Sequence, residues 1–137
     1  MHTPDELHAL LPRADFVVMA TPATSSTKKM LGKKEIGMLK TGAGLLNYSR
    51  AALVDYDALR RRLERGEVSA VLDVFDPEPL PAGSPLWKTP NLIITPHCSS
   101  DDTERYTPKT LDMLFTEMER FIAGRKLANV VSRTLEY

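Results

Sequence analysis

Three side chains in this sequence could together transfer a proton to or from a small acid: Arg50, Glu78 and His97. A carboxylate beside a histidine favours the protonated imidazole, which can then act as a general acid and base near neutral pH. An arginine beside such a pair offers a planar fork that matches a substrate carboxylate. This combination suits proton exchange at the oxygen of a 2-hydroxy or 2-keto acid, while a cofactor handles the hydride.

Each of these residues also has a structural explanation when it is taken alone. Arg50 could bind a carbonyl oxygen in its own loop, and Glu78 could be a surface glutamate. A lone histidine after a proline, as His97 follows Pro96, is more often structural than catalytic. The catalytic interpretation therefore depends on whether the fold brings the three side chains together.

The three candidates follow apolar runs that predict buried β-strands. Arg50 and His97 stand at the ends of two runs, and Glu78 follows another run and is flanked by prolines that hold the backbone extended. In open α/β sheets, ligands bind at the carboxyl ends of the strands. We therefore expect these side chains at one ligand-binding edge. The predicted strands cover residues 16–20, 44–49, 70–72 and 92–95.

Helix start and stop signals separate the predicted strands. Strands that alternate with helices indicate an α/β fold with a parallel sheet and right-handed crossovers. The predicted helices are a short one after a capping box at Thr3 and Glu6, a weak one after Ser26 or Thr27, one over residues 33–39, and one from Asp55 to Gly66.

A long amphipathic helix is predicted near the C-terminus and ends at Gly124. We expect Pro108 to interrupt it, with a short turn of helix before the long one. The apolar positions at helical spacing are Leu111, Leu114, Phe115, Met118, Phe121 and Ile122.

Composition excludes several classes of function. The 18 basic and 18 acidic residues cancel, which argues against a nucleic-acid or anionic-membrane partner, and the arginines at 60–62 predict a solvated helix face. Cys98 is the single cysteine, which excludes an internal disulfide and a cysteine-based metal site. Apolar runs fall short of the roughly 18 residues of a membrane span, and the N-terminus lacks the features of a signal peptide. We expect a soluble cytoplasmic protein without a metal.

Longer motifs surround the candidate residues, and they occur in a fixed order. They are Asn47-Tyr48-Ser49-Arg50, Leu53-Val54-Asp55, Leu72-Asp73-Val74-Phe75, Glu78-Pro79-Leu80-Pro81, Ser84-Pro85-Leu86-Trp87 and Thr95-Pro96-His97. With these motifs the chain resembles the cofactor-binding domain of the D-isomer-specific 2-hydroxyacid dehydrogenases, from about Leu7 to Gly124.

The resemblance implies a partial Rossmann-like (doubly wound) parallel sheet with flanking helices and a long C-terminal helix. Residues 1–124 would be the C-terminal portion of an NAD(P)-binding domain, and residues 125–137 a tail. The family's Gly-x-Gly-x-x-Gly fingerprint does not occur in the sequence, nor does its substrate-binding domain. We therefore expect a truncated chain with weak or no activity by itself. Whether this chain is an active enzyme is uncertain from the sequence.

The resemblance also implies roles for individual residues. Arg50, Glu78 and His97 would be catalytic, acting on a small 2-hydroxy or 2-keto acid such as glyoxylate or hydroxypyruvate. The cofactor, NAD or NADP, would be bound by Thr21, Tyr48, Ser49, Arg50, Asp73, His97 and Ser100.

A second hypothesis is a non-catalytic module that senses a cofactor or assembles with itself. A half-sheet leaves an edge that another strand can extend, and the apolar stripe of the long helix needs a cover. We therefore expect a homo-oligomer, most simply a dimer. Size-exclusion chromatography at several concentrations separates this hypothesis from a monomer.

Overall fold

The computed structural model describes residues 2–100, 102 and 104–136 of the 137-residue chain. The chain divides into two compact units, the first ending at Ser99 and the second beginning at Ser100. The first unit contains the sheet, and the second contains the long helix.

The first unit alternates strands with helices, as the sequence predicts. Its strands are β1 (Phe16–Met19), β2 (Ala43–Asn47), β3 (Val68–Leu72) and β4 (Leu92–Ile94), and its α-helices are α1 (Leu7–Leu10), α2 (Lys33–Met38) and α3 (Tyr56–Glu64). Short 3-10 turns cover Pro4–Glu6, Leu11–Arg13, Ala51–Leu53 and Pro85–Lys88.

The four strands form one parallel sheet in the order β1-β2-β3-β4. Met19, Asn47, Leu72 and Ile94 lie side by side across it. Because these are the last residues of their strands, the segments that follow them leave from the same edge. The α/β prediction is confirmed, and this shared edge is what can collect the candidate residues.

Only one face of the sheet is covered within this unit. Side chains alternate along a strand, and the covered face packs with α2 and α3 in a core that includes Ile36, Leu45, Leu59 and Leu72. The predicted burial of the first strand on both faces is wrong, because none of the helices described in the first unit covers the other face. The exposed apolar side chains of that bare face are Phe16 (73%), Val18 (59%) and Ile93 (62%).

Local signals predict the ends of α3 correctly. Asp55 accepts a hydrogen bond of 2.8 Å from the Ala58 N–H as the N-cap. Gly66 follows the helix with φ +68°, a left-handed conformation that glycine adopts without a steric penalty. Tyr56 is the first residue of this helix, so the cap also determines where the tyrosine side chain starts.

The predicted solvated face at residues 60–62 is wrong for Arg62, which is 8% exposed. Its Nη1 donates hydrogen bonds of 2.7 Å to the carbonyl oxygens of Ile36 and Leu39, at the end of α2. Carbonyl groups at a helix C-terminus lack partners within the helix. Arg62 satisfies them and thereby joins α3 to α2.

Predictions in the first 30 residues have mixed outcomes. The capping box is present, with the Thr3 N–H donating to Glu6 at 2.8 Å. The helix predicted after Ser26 or Thr27 is wrong, because residues 25–30 form turns. The Thr27 hydroxyl donates to the Pro22 carbonyl at 2.8 Å, a side-chain bond to the backbone that competes with helix formation.

The second unit contains α4 (Tyr106–Ile122), which is continuous. The predicted interruption at Pro108 is wrong, because this proline lies in the first turn, where the missing N–H has no helical acceptor to serve. Gly124 follows the helix with φ +65°. The six apolar side chains of the predicted stripe are between 43% and 81% exposed. Among the described helices, none has the length and apolarity needed to cross a membrane.

Candidate functional site

The centre of the site is a hydrogen-bonded pair formed by His97 and Glu78. His97 Nδ1 donates to Glu78 Oε2 at 2.8 Å, and Glu78 Oε1 accepts from the Phe75 N–H at 2.7 Å. The hydrogen bond from His97 and then the Phe75 N–H, helped by the charge of Arg50, hold the pKa of Glu78 below its usual range. Both carboxylate oxygens are thus engaged, and Nε2 is the ring nitrogen that can meet a substrate.

His97 has an unusual backbone conformation, with φ +56°. A residue with a Cβ pays roughly 1–2 kcal/mol in this left-handed region, so the surrounding contacts must hold it there. This conformation aims the imidazole of a residue that comes three positions after the end of β4.

Asp73 provides those contacts on both sides of His97. Its Oδ1 accepts from the Thr95 hydroxyl at 2.5 Å and from the Cys98 N–H at 3.0 Å, while Oδ2 accepts from the Ser99 N–H at 3.0 Å. Asp73 is fully buried. Burial by itself raises its pKa, but the hydrogen bonds from Ser99, Thr95 and Cys98 outweigh this and lower the pKa to about 2. The ionised carboxylate therefore holds in place the loop of residues 95–99, which contains His97 and is called the histidine loop.

Arg50 leaves the same edge of the sheet, just after β2. Its Nη1 donates to the Ser49 carbonyl at 2.7 Å, and the side chain is exposed. The guanidinium lies near enough to lower the pKa of Glu78 by its charge. The fold therefore places the three residues that the sequence predicts to be catalytic at the carboxyl edge of the sheet.

The residues predicted to bind a cofactor lie partly at this edge. The Ser49 hydroxyl donates to the Thr21 carbonyl, which joins the ends of β1 and β2. Tyr48 is 39% exposed. Asp73 is occupied by the histidine loop, and Ser100 is exposed at the start of the second unit. The cofactor role of these residues stays a prediction.

Sequence reasoning missed a polar network that includes Tyr56. Asn47 Nδ2 donates to the Arg50 carbonyl and to the Tyr56 hydroxyl, both at 3.0 Å, and Asn47 Oδ1 accepts from the Ser49 N–H at 3.1 Å. The Tyr56 hydroxyl in turn donates to the Val74 carbonyl at 2.7 Å. The available signal was Asn47 at the end of a buried strand, because a buried amide requires hydrogen-bond partners.

A cavity of about 570 Å³ lies beside the histidine–glutamate pair. Its walls include Phe75, Leu80 and Trp87 together with Glu78 and His97. The Trp87 indole is held in place by a hydrogen bond of 2.9 Å to the Pro81 carbonyl. Small-molecule sites commonly have volumes of roughly 300–1,000 Å³ with mostly apolar walls and a few polar groups. The cavity can therefore admit a small molecule next to the His97–Glu78 pair, and Arg50 is not among its lining residues.

Taken together, these features define a class of protein. A parallel α/β sheet that carries a histidine–glutamate pair and an arginine at the carboxyl ends of its strands is typical of a Rossmann-type dehydrogenase domain. A family model described as "D-isomer specific 2-hydroxyacid dehydrogenase, NAD binding domain" matches residues 1–99. The chain belongs to this family of D-isomer specific 2-hydroxyacid dehydrogenases.

Individual relatives agree with this assignment. Glyoxylate/hydroxypyruvate reductase B of Pectobacterium atrosepticum is 38% identical over 121 residues, which are 87% of this chain and 36% of that protein. A D-isomer specific 2-hydroxyacid dehydrogenase of Xanthobacter autotrophicus Py2, solved with NADPH and MES, is 33% identical with a TM-score of 0.90, over 100% of this chain and 56% of that one.

A third relative is the NADPH-dependent glyoxylate/hydroxypyruvate reductase of Sinorhizobium meliloti, solved with NADP and sulfate. It is 27% identical with a TM-score of 0.88, over 99% of this chain and 44% of that one. The chain thus spans about half or less of the length of these three relatives.

Proposed function

We propose that this protein is an NAD(P)-dependent D-2-hydroxyacid dehydrogenase that interconverts a small 2-hydroxy acid and its 2-keto acid, with glyoxylate or hydroxypyruvate as the first substrates to test. The observation that carries the proposal is the 2.8 Å pair of His97 and Glu78 beside Arg50. The reductase activities named for the Pectobacterium and Sinorhizobium relatives support the choice of substrates.

The proposed chemistry assigns one task to each of these side chains. Arg50 binds the substrate carboxylate through its planar guanidinium. His97 donates a proton from Nε2 to the carbonyl oxygen during reduction and takes it back during oxidation. Glu78 orients the imidazole and stabilises its positive charge. A bound nicotinamide cofactor would supply or accept the hydride.

The strand ends offer groups that suit the nicotinamide side of such a cofactor. Exposed Tyr48 and the backbone around Thr21 and Ser49 are the groups that we propose to line it. The two relatives solved with NADPH or NADP make NADPH the first cofactor to test, with NADH as the comparison. Because the sequence contains no Gly-x-Gly-x-x-Gly turn, we expect the 137-residue chain alone to bind NADPH more weakly than micromolar.

The test is substrate-dependent oxidation of NADPH by the protein and its His97→Gln variant. Loss of a general acid typically costs about 100-fold to 10,000-fold in rate, so we expect a loss in turnover of about 100-fold or more. His8→Gln is the matched control, because His8 pairs with Glu35 at 2.8 Å on the surface. Equal turnover by the His97→Gln variant and the wild type would contradict the proposed function.

A second candidate function, a self-assembling module, is favoured by the two exposed apolar surfaces. These are the bare face of the sheet in the first unit and the stripe of α4 in the second. A parallel sheet is normally covered on both faces, so the bare face favours a partner. Oligomeric state, measured by analytical ultracentrifugation at several concentrations, separates this candidate from a monomeric protein.

A further inference from the structure

Arg50 and Glu78 lie on two separate segments, and Tyr56 contacts both of them. The first segment runs from Asn47 to Arg50, and the second from Val74 to Glu78. The Tyr56 hydroxyl accepts from Asn47 Nδ2 at 3.0 Å and donates to the Val74 carbonyl at 2.7 Å. A hydroxyl with one acceptor and one donor contact to two different segments forms a direct bridge between them.

Each end of this bridge is connected to a catalytic candidate through the contacts of one neighbouring residue. On the first segment, Asn47 Nδ2 also donates to the Arg50 carbonyl at 3.0 Å. On the second segment, the tyrosine ring packs edge-on against the Phe75 ring, with centroids 6.4 Å apart and planes at 65°. The Phe75 N–H donates to Glu78 at 2.7 Å. Movement of either segment would therefore disturb the contacts of Tyr56.

The surroundings of Tyr56 favour a rigid, neutral bridge. Burial raises the pKa of its phenol far above the usual value, and the negative charge of Glu78 adds to the increase, although the hydrogen bond from Asn47 opposes it. The hydroxyl consequently keeps its proton, which its bond to the Val74 carbonyl requires. The N-cap at Asp55 fixes the start of α3 and with it the backbone of Tyr56.

We propose that Tyr56 is a positioning residue, which sets the separation of Arg50 from the His97–Glu78 pair by bridging the segment that carries Arg50 and the segment that carries Glu78, the hydrogen-bond partner of His97. The kinetic consequence rests on the proposed function. A 2-keto acid held by Arg50 must present its carbonyl oxygen to His97, so a change in this separation misaligns the substrate. A misplacement of about 1 Å can cost about 100-fold in rate.

The test is the Tyr56→Phe variant of the protein, which removes only the hydroxyl. We expect kcat/KM for glyoxylate to fall about tenfold or more, while the KM for NADPH changes less than twofold. The pH profile of turnover should keep its shape, because His97 and Glu78 stay paired. Tyr106→Phe is the matched control, since Tyr106 is 65% exposed on α4. An unchanged kcat/KM, or equal effects on keto acid and cofactor, would overturn the proposal.

Hydrogen exchange separates this proposal from the proposed function. In the 137-residue chain, the amides of Ser49 and Phe75 report on the two segments, because they bond to Asn47 and Glu78. We expect both to exchange at least about tenfold faster in Tyr56→Phe, while the Leu59 amide, bonded to Asp55 within α3, changes less. Faster exchange of the Ser49 and Phe75 amides in Tyr56→Phe, in a protein that shows no dehydrogenase activity, would support the bridging role of Tyr56 and refute the proposed function. Equal changes at all three amides would refute the bridge.

Discussion

At the scale of single residues, the site depends on a buried carboxylate that holds a strained histidine. His97 has φ +56°, and Asp73 accepts hydrogen bonds from Thr95 before it and from Cys98 and Ser99 after it. A charged acceptor that receives three hydrogen bonds is strongly stabilised in its ionised form. Asp73 thus links the stability of the fold to the geometry of the His97–Glu78 pair.

The pKa of Asp73 predicts how stability depends on pH. Its folded-state pKa of about 2 lies below the ordinary 3.8, so the unfolded chain binds the proton more readily. The stabilisation is fully present above pH 3.8 and is lost as the pH falls toward 2, with a magnitude of about 2 kcal/mol. We expect Asp73→Asn to unfold at lower urea concentration than wild type at pH 7, and the difference to narrow at pH 2.

Asp15→Asn is the control for this experiment, because the Asp15 side chain is 79% exposed in its ion pair with Lys40. An exposed pair of this kind contributes roughly 0–1 kcal/mol. A difference between wild type and Asp73→Asn that stays constant from pH 7 to pH 2 would rule out the ionised carboxylate as the source of the stabilisation.

At the scale of secondary-structure elements, the two central helices are held together by one buried arginine. Arg62 on α3 bonds to two carbonyl groups at the end of α2, and its Nε donates to Glu67 at 2.7 Å. Hydrogen bonds from Arg65 and Arg62 lower the pKa of Glu67 to about 2. These contacts stabilise the helix layer on which the covered face of the sheet packs.

We expect Arg62→Met to lower the free energy of unfolding by about 3 kcal/mol, because it leaves buried carbonyl groups without donors. Urea denaturation at pH 7 measures the change. Arg61→Met is the matched control, because its side chain is exposed on the same helix and exposed substitutions usually stay within about 0.5 kcal/mol. Similar losses in the two variants would show that the buried hydrogen bonds of Arg62 contribute little.

At the scale of the whole molecule, the bare face of the sheet is the feature that predicts association. Phe16, Val18 and Ile93 place three large apolar side chains on it. Burial of apolar surface stabilises association by about 25 cal/mol per Å² before the entropic costs of binding. The chain by itself therefore has a driving force to pair through this face.

We expect the 137-residue chain to self-associate as its concentration rises and Ile93→Lys to shift it toward monomer, because a lysine charge resists burial. Sedimentation velocity at several concentrations measures the shift. Val131→Lys is the control, since Val131 is 68% exposed outside the sheet. A wild-type chain that stays monomeric at every concentration would contradict self-assembly through this face.

The sequence by itself determined the strands, the ends of α3 and the choice of candidate side chains at the sheet edge. The apolar runs predicted all four strands, and Asp55 and Gly66 predicted the ends of α3, because periodicity and capping act over a few neighbouring residues. The candidates Arg50, Glu78 and His97 could be chosen because parallel strands deliver the residues that follow them to one edge.

Only the tertiary structure decided which side chains are held in place and which faces are covered. The Tyr56 bond to Val74 spans 18 residues, and the Arg62 bond to Ile36 spans 26, so no local pattern predicts either one. The exposure of Phe16 and Val18 likewise depends on which helices cross which face of the sheet. A strand sequence records that its side chains are apolar, whereas the packing of distant elements decides whether they are buried.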